Sequence, residues 1–222
     1  MSVCILQLEH SPYCIPITRA LEALGVAFDV RNVSNADRRE VIEATAGAYY
    51  QVPVLVHDGR AVFETSGESN DVARYVDRTF ANGSLFPAAH EGIQRIVVPY
   101  IEDRVESVTF RLVDPSYLRD LSDPVERTMI RRHKERKFGA GCIEAWDASR
   151  DDLLREAESL LKPFDLILEN SLFLFGEAPV FSDFALFGIL GNLTYRDYNE
   201  VPPSLVRIKE WRERMAQWTF RR

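Results

Sequence analysis

The segment Val3-Cys4-Ile5-Leu6-Gln7-Leu8-Glu9-His10-Ser11-Pro12-Tyr13-Cys14 joins an apolar run to a hydroxyl residue and a proline. The run from Val3 to Leu8 is typical of a buried strand. Serine is a favoured N-cap and proline a favoured first helical residue, so Ser11-Pro12 predicts a strand that turns directly into a helix. The first N–H groups of a helix lack internal partners and lie at its positive end, where a thiolate or phosphate is stabilised. Two interpretations of Ser11 are therefore open, a helix cap and a catalytic hydroxyl.

The next segments alternate between helical and extended patterns. Apolar positions between residues 17 and 24 have the period of one helix face, and Gly25 stands where a C-terminal cap belongs. A strand is predicted over residues 28–33 and a short helix over residues 37–45. The first strand, the first helix and this second strand make a β-α-β unit, whose crossover connection makes the two strands parallel.

A hairpin is predicted in the part of the chain that follows. The run Val52-Pro53-Val54-Leu55-Val56 is separated by His57-Asp58-Gly59 from Ala61-Val62-Phe63, and Asp-Gly between apolar runs is a strong hairpin signal. Pro53 cannot donate a ladder hydrogen bond, so it belongs at a strand start or edge, where its peptide bond could be cis. With a third helix over residues 69–80, the order β-α-β-α-β-β-α predicts a thioredoxin-like domain with a mixed four-stranded sheet.

The second part of the chain has a different pattern. Residues 82–87 have the composition of a linker, and the apolar–polar alternation that is typical of strands is absent beyond them. Apolar residues at helical spacing predict helices over residues 93–108, 153–168, 184–193 and 205–218. We therefore predict an α/β domain over residues 1–81 and an all-α domain over residues 88–222.

Composition and charge exclude several classes of protein. The 222 residues include 34 acidic and 27 basic side chains, and the formal net charge of −7 argues against a nucleic-acid partner. The three cysteines, Cys4, Cys14 and Cys142, have no CxxC spacing, so neither a disulfide framework nor a zinc site is indicated. The chain has no charged n-region and no apolar run of about eighteen residues, so we expect a cytoplasmic protein that is neither exported nor membrane-bound.

Four motifs occur in a fixed order along the chain. They are Ser11-Pro12-Tyr13-Cys14, then Gln51-Val52-Pro53-Val54-Leu55, then Glu68-Ser69 followed by Val72, Tyr75 and Val76, and finally Phe175-Gly176-Glu177-Ala178-Pro179 leading to Ser182-Asp183. In this order and spacing they resemble the cytosolic glutathione transferase superfamily over nearly the whole chain. The resemblance implies a dimeric detoxification enzyme that uses glutathione as co-substrate against a small apolar electrophile, without a metal or a redox cofactor.

The resemblance gives Ser11 a specific role. In that superfamily the residue at this position hydrogen-bonds the glutathione sulfur and keeps it ionised. Lowering the pKa of a free thiol from about 8.5 to about 6.5 requires about 2.7 kcal/mol of preference for the anion. A hydrogen bond to a charged group supplies about 1.5–3 kcal/mol and a helix N-terminus about 0.3–1 kcal/mol more. One hydroxyl at a helix start is therefore sufficient.

The same resemblance assigns the residues that bind glutathione. It implies that Val52, just before a cis Pro53, pairs its backbone with the cysteinyl part of glutathione like an added strand. Tyr13 belongs to this glutathione site. Arg39 could reach the glycyl carboxylate, although a solvated helix start is the alternative.

The γ-glutamyl end of glutathione has two candidate sites. The resemblance implies that Glu68 takes its ammonium and that Ser69, with the N–H groups of the third helix, takes its carboxylate. Ser69 as a simple helix cap is the structural alternative. The segment Glu64-Thr65-Ser66 offers a competing glutamate with nearby hydroxyls, because residues 65–67 look like an insertion. The register of this site stays open.

The electrophile pocket and one helix cap are less well defined by the sequence. By resemblance, Tyr100, Arg104 and Phe110 lie on the long helix that faces the cleft between the domains, although core or dimer contacts would explain them equally well. The superfamily often has a hydroxyl residue three places before Asp183, and Val180 occupies that place here. The cap must therefore be satisfied in another way.

Two alternative functions stay open. The inserted loop and Val180 fit a non-catalytic protein that retains this fold as a binding or regulatory module. Ser-Pro-Tyr-Cys also resembles a glutaredoxin Cys-Pro-Tyr-Cys whose first cysteine has become Ser11, which leaves Cys14 for glutathione-dependent thiol reduction. The change from cysteine to Ser11 removes the exposed thiol that attacks a disulfide. Cys14 lies one turn into the helix, where a role as a small buried hydrophobic residue is the alternative interpretation.

Overall fold

The computed structural model describes residues 2–65 and 70–220 of the chain. Its first part contains four strands and three helices in the predicted order. They are β1 (Val3–Gln7), α1 (Cys14–Ala23), β2 (Asp29–Asn32), α2 (Arg39–Ala44), β3 (Val54–His57), β4 (Arg60–Val62) and α3 (Asp71–Val76), and a π-helical turn, Asp77–Ala81, extends α3. The predicted thioredoxin-like domain is confirmed.

The strands form one mixed sheet in the order β2-β1-β3-β4. At its centre, Ile5 of β1 is paired with Val30 in the parallel direction and with Leu55 in the antiparallel direction. Strand β4 pairs antiparallel with β3. The β-α-β crossover between β1 and β2 is therefore as the sequence predicts.

The hairpin between β3 and β4 has a loop of the two residues Asp58 and Gly59. Both have positive φ, 47° and 81°, and they lie between the paired residues His57 and Arg60. Two consecutive residues of positive φ give the turn whose twist matches that of paired strands, and Asp-Gly is well suited to it. This turn chemistry explains why the hairpin could be located from the sequence.

The second part of the chain is helical, as predicted. Its helices are α4 (Glu91–Pro99), α5 (Glu106–Asp120), α6 (Pro124–Phe138), α7 (Cys142–Ala148), α8 (Arg150–Ile167), α9 (Phe181–Leu193) and α10 (Val206–Gln217). A π-helical segment, Tyr100–Val105, joins α4 to α5 in one continuous run. Pro99, just before it, lacks the N–H that would bond a carbonyl of the preceding turn. None of the helices in residues 2–65 and 70–220 is both long and apolar enough to cross a membrane.

The start of α9 is capped without the hydroxyl residue that Val180 replaces. The N–H of Phe181 donates to the carbonyl of Leu85 at 2.8 Å, and the N–H of Asp183 donates to that of Val180 at 2.9 Å. The N–H of Ser182 donates at 3.0 Å to the side-chain oxygen of Gln94, which is 2% exposed. A buried amide on α4 therefore takes the place of the missing cap.

Asp183 ties three segments to the first turn of α9. One carboxylate oxygen accepts from the N–H of Leu174 at 2.9 Å and from the indole Nε1 of Trp211 at 3.0 Å, and the other accepts from the N–H of Val180 at 3.0 Å. The side chain is fully buried, and this burial raises the pKa of Asp183 to about 6. Helix α9 is thus held in the middle of the helical part of the chain.

Helix α9 also packs closely against the start of α1. A Cβ atom at Gly188 would lie 2.4 Å from the carbonyl oxygen of Pro12 and 2.5 Å from the ring of Pro16. The amide Nδ2 of Asn192 donates to the carbonyl of His10 at 2.7 Å. The absence of a side chain at Gly188 allows the helix to approach the turn that contains Ser11.

We predict that Gly188→Ala destabilises the protein by about 1–3 kcal/mol, because the added methyl must displace backbone atoms of the Ser11 turn. Gly92→Ala is the matched control, since a Cβ there meets no atom within 4 Å and alanine favours helix α4. Urea unfolding of both variants measures the difference. Equal midpoints for the two variants would contradict this account of the interface.

We predict a pH-dependent contribution from Asp183. Its pKa of about 6 in the folded state lies above that of an unfolded aspartate, so the folded state binds the extra proton. Its contribution to stability therefore falls by about 3 kcal/mol as pH rises from about 4 to about 6. Asp183→Asn should remove this slope and also destabilise the protein, because the new NH2 group faces an N–H donor.

The measurement is chemical unfolding of wild type and Asp183→Asn between pH 4 and pH 7. The exposed Asp152, in the first turn of α8, gives the control variant Asp152→Asn. If the difference in unfolding free energy between wild type and Asp183→Asn does not change with pH, Asp183 does not titrate in this range.

Candidate functional site

Ser11 lies in the turn between β1 and α1 and is 7% exposed. Its Oγ accepts from the N–H groups of Tyr13 and Cys14, at 3.3 Å each. Its backbone carbonyl accepts from the N–H groups of Cys14 and Ile15, at 3.1 Å each. The serine therefore caps the first turn of α1, and because both Oγ contacts use it as an acceptor, the hydroxyl hydrogen is left for another partner.

The thiol of Cys14 interacts with this hydroxyl. Cys14 is 0% exposed, and burial raises its pKa to about 11 despite the opposing effect of a hydrogen bond with Ser11. A buried thiol of high pKa is a poor nucleophile. The alternative in which Cys14 reduces disulfides therefore has no support from the geometry.

A cleft of about 240 Å³ opens beside this turn. The thioredoxin-like domain lines it with Tyr13, Gln51, Val52, Pro53, Glu64 and Asn70, among others. The helical domain contributes Glu102 and Phe181. Three of the residues that the resemblance assigns to glutathione, Tyr13, Val52 and Pro53, are thus brought together. Ser11, two residues before Tyr13, is not among the residues that line this cleft.

Val52 lines this cleft. The Val52–Pro53 peptide bond is cis, as the resemblance implies. Neither the N–H nor the carbonyl of Val52 has a hydrogen-bond partner in the part of the chain that the structure describes. An unpaired main-chain edge of this kind can accept an extended peptide.

The predicted residues Glu68 and Ser69 lie outside the described residues. The competing Glu64 lies inside the cleft, where its carboxylate accepts from the N–H of Asp71 at 2.7 Å and from that of Val72 at 3.3 Å. Burial raises the pKa of Glu64. The carboxylate of Glu64 therefore already accepts from the first N–H groups of α3. Which of the two candidate segments binds the γ-glutamyl end of glutathione stays a prediction.

Arg38, rather than its neighbour Arg39, lies close to the Ser11 turn. The side chain of Arg39 is 75% exposed and lies 3.9 Å from Asp37, so its role at a glycyl carboxylate stays a prediction. Arg38 is half-buried and donates from Nη2 to Asn35 at 3.1 Å, while its buried Nη1 has no partner among the described residues. Its positive charge acts on Cys14. The sequence contains no signal that separates these two adjacent arginines.

The three residues predicted for the electrophile pocket do not line the cleft. Tyr100 donates from its hydroxyl to the carbonyl of Leu160 at 3.1 Å, Arg104 is exposed, and Phe110 is 8% exposed. The ammonium of Lys134 covers the ring of Phe110 at 4.2 Å. Tyr100 and Arg104 each lie two residues from Glu102, which lines the cleft, and positions two apart face opposite sides of a helix.

The helical domain brings acidic side chains to or near the cleft. Glu102 lines the cleft, and Glu106 follows it by four residues. Burial raises the pKa of Glu106 to about 7. The pKa of Tyr13 is also raised, first by burial and then by the negative charges of Glu106, Glu102 and Asp103, in that order. Sequence analysis missed both glutamates, because acidic residues on a helix are usually solvated.

His10 packs against aromatic rings, although it directly precedes Ser11 in the chain. Its ring packs against Tyr117 at 4.3 Å and Tyr195 at 5.3 Å between centroids. Burial lowers the pKa of His10 to about 4, so the ring is neutral at pH 7. Within residues 2–65 and 70–220, no group of three or more His, Cys, Asp and Glu side chains is placed to hold a metal ion.

Comparison with known sequences gives a family for the first domain. Residues 6–84 match the family model described as "Glutathione S-transferase, N-terminal domain". A probable glutathione S-transferase of Nicotiana tabacum is 25% identical over 108 residues, which are 48% of this chain and 47% of the tobacco protein. The probable glutathione S-transferase GSTU6 of Oryza sativa subsp. japonica is 24% identical over 200 residues, which are 87% of this chain and 73% of the rice protein. The matched region thus spans about half of the tobacco relative and about three quarters of the rice relative.

Comparison with solved structures extends the similarity to the whole fold. Glutathione transferase GSTFuA3 from Phanerochaete chrysosporium has a TM-score of 0.80 at 18% identity, covering 100% of this chain and 99% of that one. A glutathione S-transferase of Ceriporiopsis subvermispora in complex with glutathione has a TM-score of 0.77 at 19% identity, covering 98% and 97%. Glutaredoxin 2 from Salmonella typhimurium in complex with glutathione has a TM-score of 0.72 at 21% identity, covering 97% and 94%.

These identities are low, so the structural likeness concerns the fold alone. The family match concerns residues 6–84, which contain the turn with Ser11 and the cis bond before Pro53. Residues 6–84 thus match a glutathione S-transferase N-terminal domain, and the solved structures show the same fold over nearly the whole chain.

Proposed function

We propose that this protein is a glutathione transferase that keeps the glutathione sulfur ionised with Ser11. The observation that carries the proposal is the cleft itself, in which the unpaired backbone of Val52 lies beside the turn that contains Ser11 and Tyr13. An extended peptide bound along Val52 would direct its cysteinyl sulfur toward the start of α1. The family match over residues 6–84 supports glutathione as that peptide.

Ser11 acts as a donor in this proposal. When glutathione binds, the hydroxyl hydrogen turns from the thiol of Cys14 to the glutathione sulfur, while Oγ continues to accept from the first N–H groups of α1. The positive charge of Arg38 lies near this turn and favours the same anion. These groups stabilise the thiolate without requiring a base.

The reaction itself needs only the thiolate and an acceptor. With chlorodinitrobenzene as the acceptor, a carbon–sulfur bond forms, the carbon–chlorine bond breaks, chloride leaves, and the thiol proton has already passed to solvent. The helical domain supplies the wall against which such an acceptor lies, through Glu102 and Phe181. No metal or redox cofactor takes part in this step, and we propose a role in detoxification in the cytoplasm.

A homodimer is part of the proposal. Ile93 and Ile96 lie on the same face of α4 and are 42% and 68% exposed, and Tyr50 is 62% exposed. Large apolar side chains at this exposure favour a protein partner. We propose that a second copy of the chain covers them.

Structural observations weaken both alternative functions, thiol reduction and a non-catalytic module. Thiol reduction would need an accessible thiolate, whereas Cys14 is fully buried with a raised pKa. The non-catalytic module is favoured partly by Val180, which has no hydroxyl to cap α9. The N–H groups at this helix start instead donate to Gln94 and to backbone carbonyls. The transferase therefore remains the function that the geometry supports best.

We predict that Ser11→Ala lowers kcat/KM for chlorodinitrobenzene at pH 6.5 by about 10-fold to 100-fold, because a hydrogen bond to an anion is lost. Glutathione affinity should stay within about threefold, since a single hydroxyl contributes little to peptide binding. Ultraviolet titration of bound glutathione should show its thiol pKa moving up toward that of the free thiol. Isothermal calorimetry with glutathione gives the affinity.

Two further variants separate the cap from the catalytic role. Ser11→Thr keeps both the cap and the donor, so it should retain activity within about tenfold. Ser11→Asp keeps the cap but replaces the donor by a negative charge, so it should fold and be inactive. Unchanged turnover in Ser11→Ala would remove Ser11 from the mechanism, and absence of glutathione binding by wild type would favour the non-catalytic module.

We predict that Ile96→Glu produces a monomer, because a charge in the proposed dimer interface loses its hydration when a second copy docks. Light scattering at micromolar concentration measures the mass of the particle. Val206→Glu, on the exposed side of α10, is the control and should leave the mass unchanged. A wild type that is itself a monomer at this concentration would refute the dimer.

A further inference from the structure

A second cavity, of about 530 Å³, lies where α9 connects to α10. Helix α10 lines it with Lys209 and Arg212, and the connection lines it with Thr194 and Val201, among others. Phe187 of α9 also lies on its wall. Among the described residues, none lines both this cavity and the candidate glutathione cleft. A cavity of this volume can hold a separate small molecule.

Arg212 brings a guanidinium group to this cavity without a carboxylate partner. Its Nη2 donates to the hydroxyl Oγ1 of Thr194, which in turn donates to the carbonyl of Leu190 at 2.9 Å. The side chain is half-buried, and it forms no ion pair within residues 2–65 and 70–220. Burial lowers the pKa of Arg212, and no charge from the described residues offsets this effect. Because a guanidinium group has several N–H donors in a planar fork, donors are left for a ligand.

Lys209 adds a second positive charge to the same wall. It lies three residues before Arg212 on α10, so both side chains are on one face of the helix. Lys209 is half-buried, and its ammonium group has no hydrogen bond or ion pair in the part of the chain that the structure describes. Half-buried cations without a counter-ion favour an anion, and the fork of Arg212 matches a carboxylate.

Three carboxylates line the outer part of the same cavity. Asp197, Glu200 and Glu213 are exposed, and within residues 2–65 and 70–220 none of them forms an ion pair with Lys209 or Arg212. The lining thus carries one more negative charge than positive charges. This excess disfavours a polyanion such as a nucleotide. It favours a ligand that has an ammonium group as well as a carboxylate.

The remaining lining includes apolar side chains and one amide that already has partners. Val201 is 4% exposed and Phe187 is half-buried, so together they offer an apolar surface. Asn199 donates from Nδ2 to the carbonyl of Leu193 at 3.1 Å and accepts at Oδ1 from Arg150. The amide therefore supports the loop, while Val201 and Phe187 are left to contact an apolar group of a ligand.

We propose that this cavity binds a zwitterionic ligand, an α-amino acid with an apolar side chain. Its carboxylate accepts from Arg212 and Lys209, and its ammonium group donates to the carboxylates at the outer part of the cavity. Its apolar side chain packs against Phe187 and Val201. The site involves binding alone and does not depend on the proposed transferase activity.

Isothermal calorimetry with L-phenylalanine as the probe tests the ligand class. We expect a Kd of about 0.1–1 mM, the affinity of a ligand of this size. Two analogues each lack one charge: 3-phenylpropanoate has no ammonium group, and 2-phenylethylamine has no carboxylate. Each analogue should bind at least about tenfold more weakly, because one set of charge-assisted hydrogen bonds is lost.

Variants of α10 locate the binding. Arg212→Gln removes the fork and should raise the Kd for L-phenylalanine at least about tenfold. Lys209→Gln should weaken binding in the same direction, and it should fold normally because this ammonium group has no protein partner among the described residues. Arg214→Gln is the matched control, since Arg214 lies on the opposite side of α10 and donates to the carbonyl of Leu172. It should bind the probe as wild type does, and urea unfolding checks that each variant is folded.

The outcomes also separate this site from the glutathione cleft. Saturating glutathione should change the Kd for L-phenylalanine by less than about twofold, because sites without coupling do not alter each other's affinity. Displacement of the amino acid by glutathione, or equal Kd values in wild type, Arg212→Gln and Lys209→Gln, would place the binding elsewhere and overturn the site. Binding of 3-phenylpropanoate as tight as that of L-phenylalanine would overturn the zwitterionic class. A folded wild type that does not bind L-phenylalanine would overturn the proposal, whether or not it conjugates glutathione.

Discussion

The close approach of α9 to the start of α1 is the contact on which the candidate site depends. The turn with Ser11 follows the central strand β1 and is held locally by two hydrogen bonds of 3.3 Å to the Ser11 hydroxyl and two of 3.1 Å to the Ser11 carbonyl. Gly188 lets α9 reach the backbone of that turn, and Asn192 holds it through the carbonyl of His10. Because α9 is itself fixed by Asp183, the core of the helical domain also fixes the position of the Ser11 hydroxyl.

Features set by local chemistry could be predicted from the sequence. The Asp58-Gly59 turn, the parallel β-α-β unit and the change to helices after residue 82 all follow from the conformational preferences of neighbouring residues. The gathering of Tyr13, Val52 and Pro53 in one cleft was also predicted, but only through resemblance to a family. Periodicity alone does not bring residues 13 and 52 together, since they lie on different elements.

Features set by distant contacts could not be predicted. The missing cap at Val180 is replaced by Gln94, which lies 86 residues earlier and has no local pattern that marks it as a cap. Tyr100 and Phe110 pack in the helical domain, whereas Glu102, two residues from Tyr100, lines the cleft. Residues two apart lie on opposite sides of a helix, and helical spacing alone does not indicate which side meets the first domain.

The cleft combines a region that favours an anion with acidic residues of the helical domain. The start of α1 favours an anion, and the positive charge of Arg38 acts on the same turn. Glu102 of the helical domain lines the same cleft, and the negative charges of Glu106, Glu102 and Asp103 add to the effect of burial in raising the pKa of Tyr13. A bound thiolate is therefore more stable close to α1 than close to the π-helical segment, because like charges oppose it there.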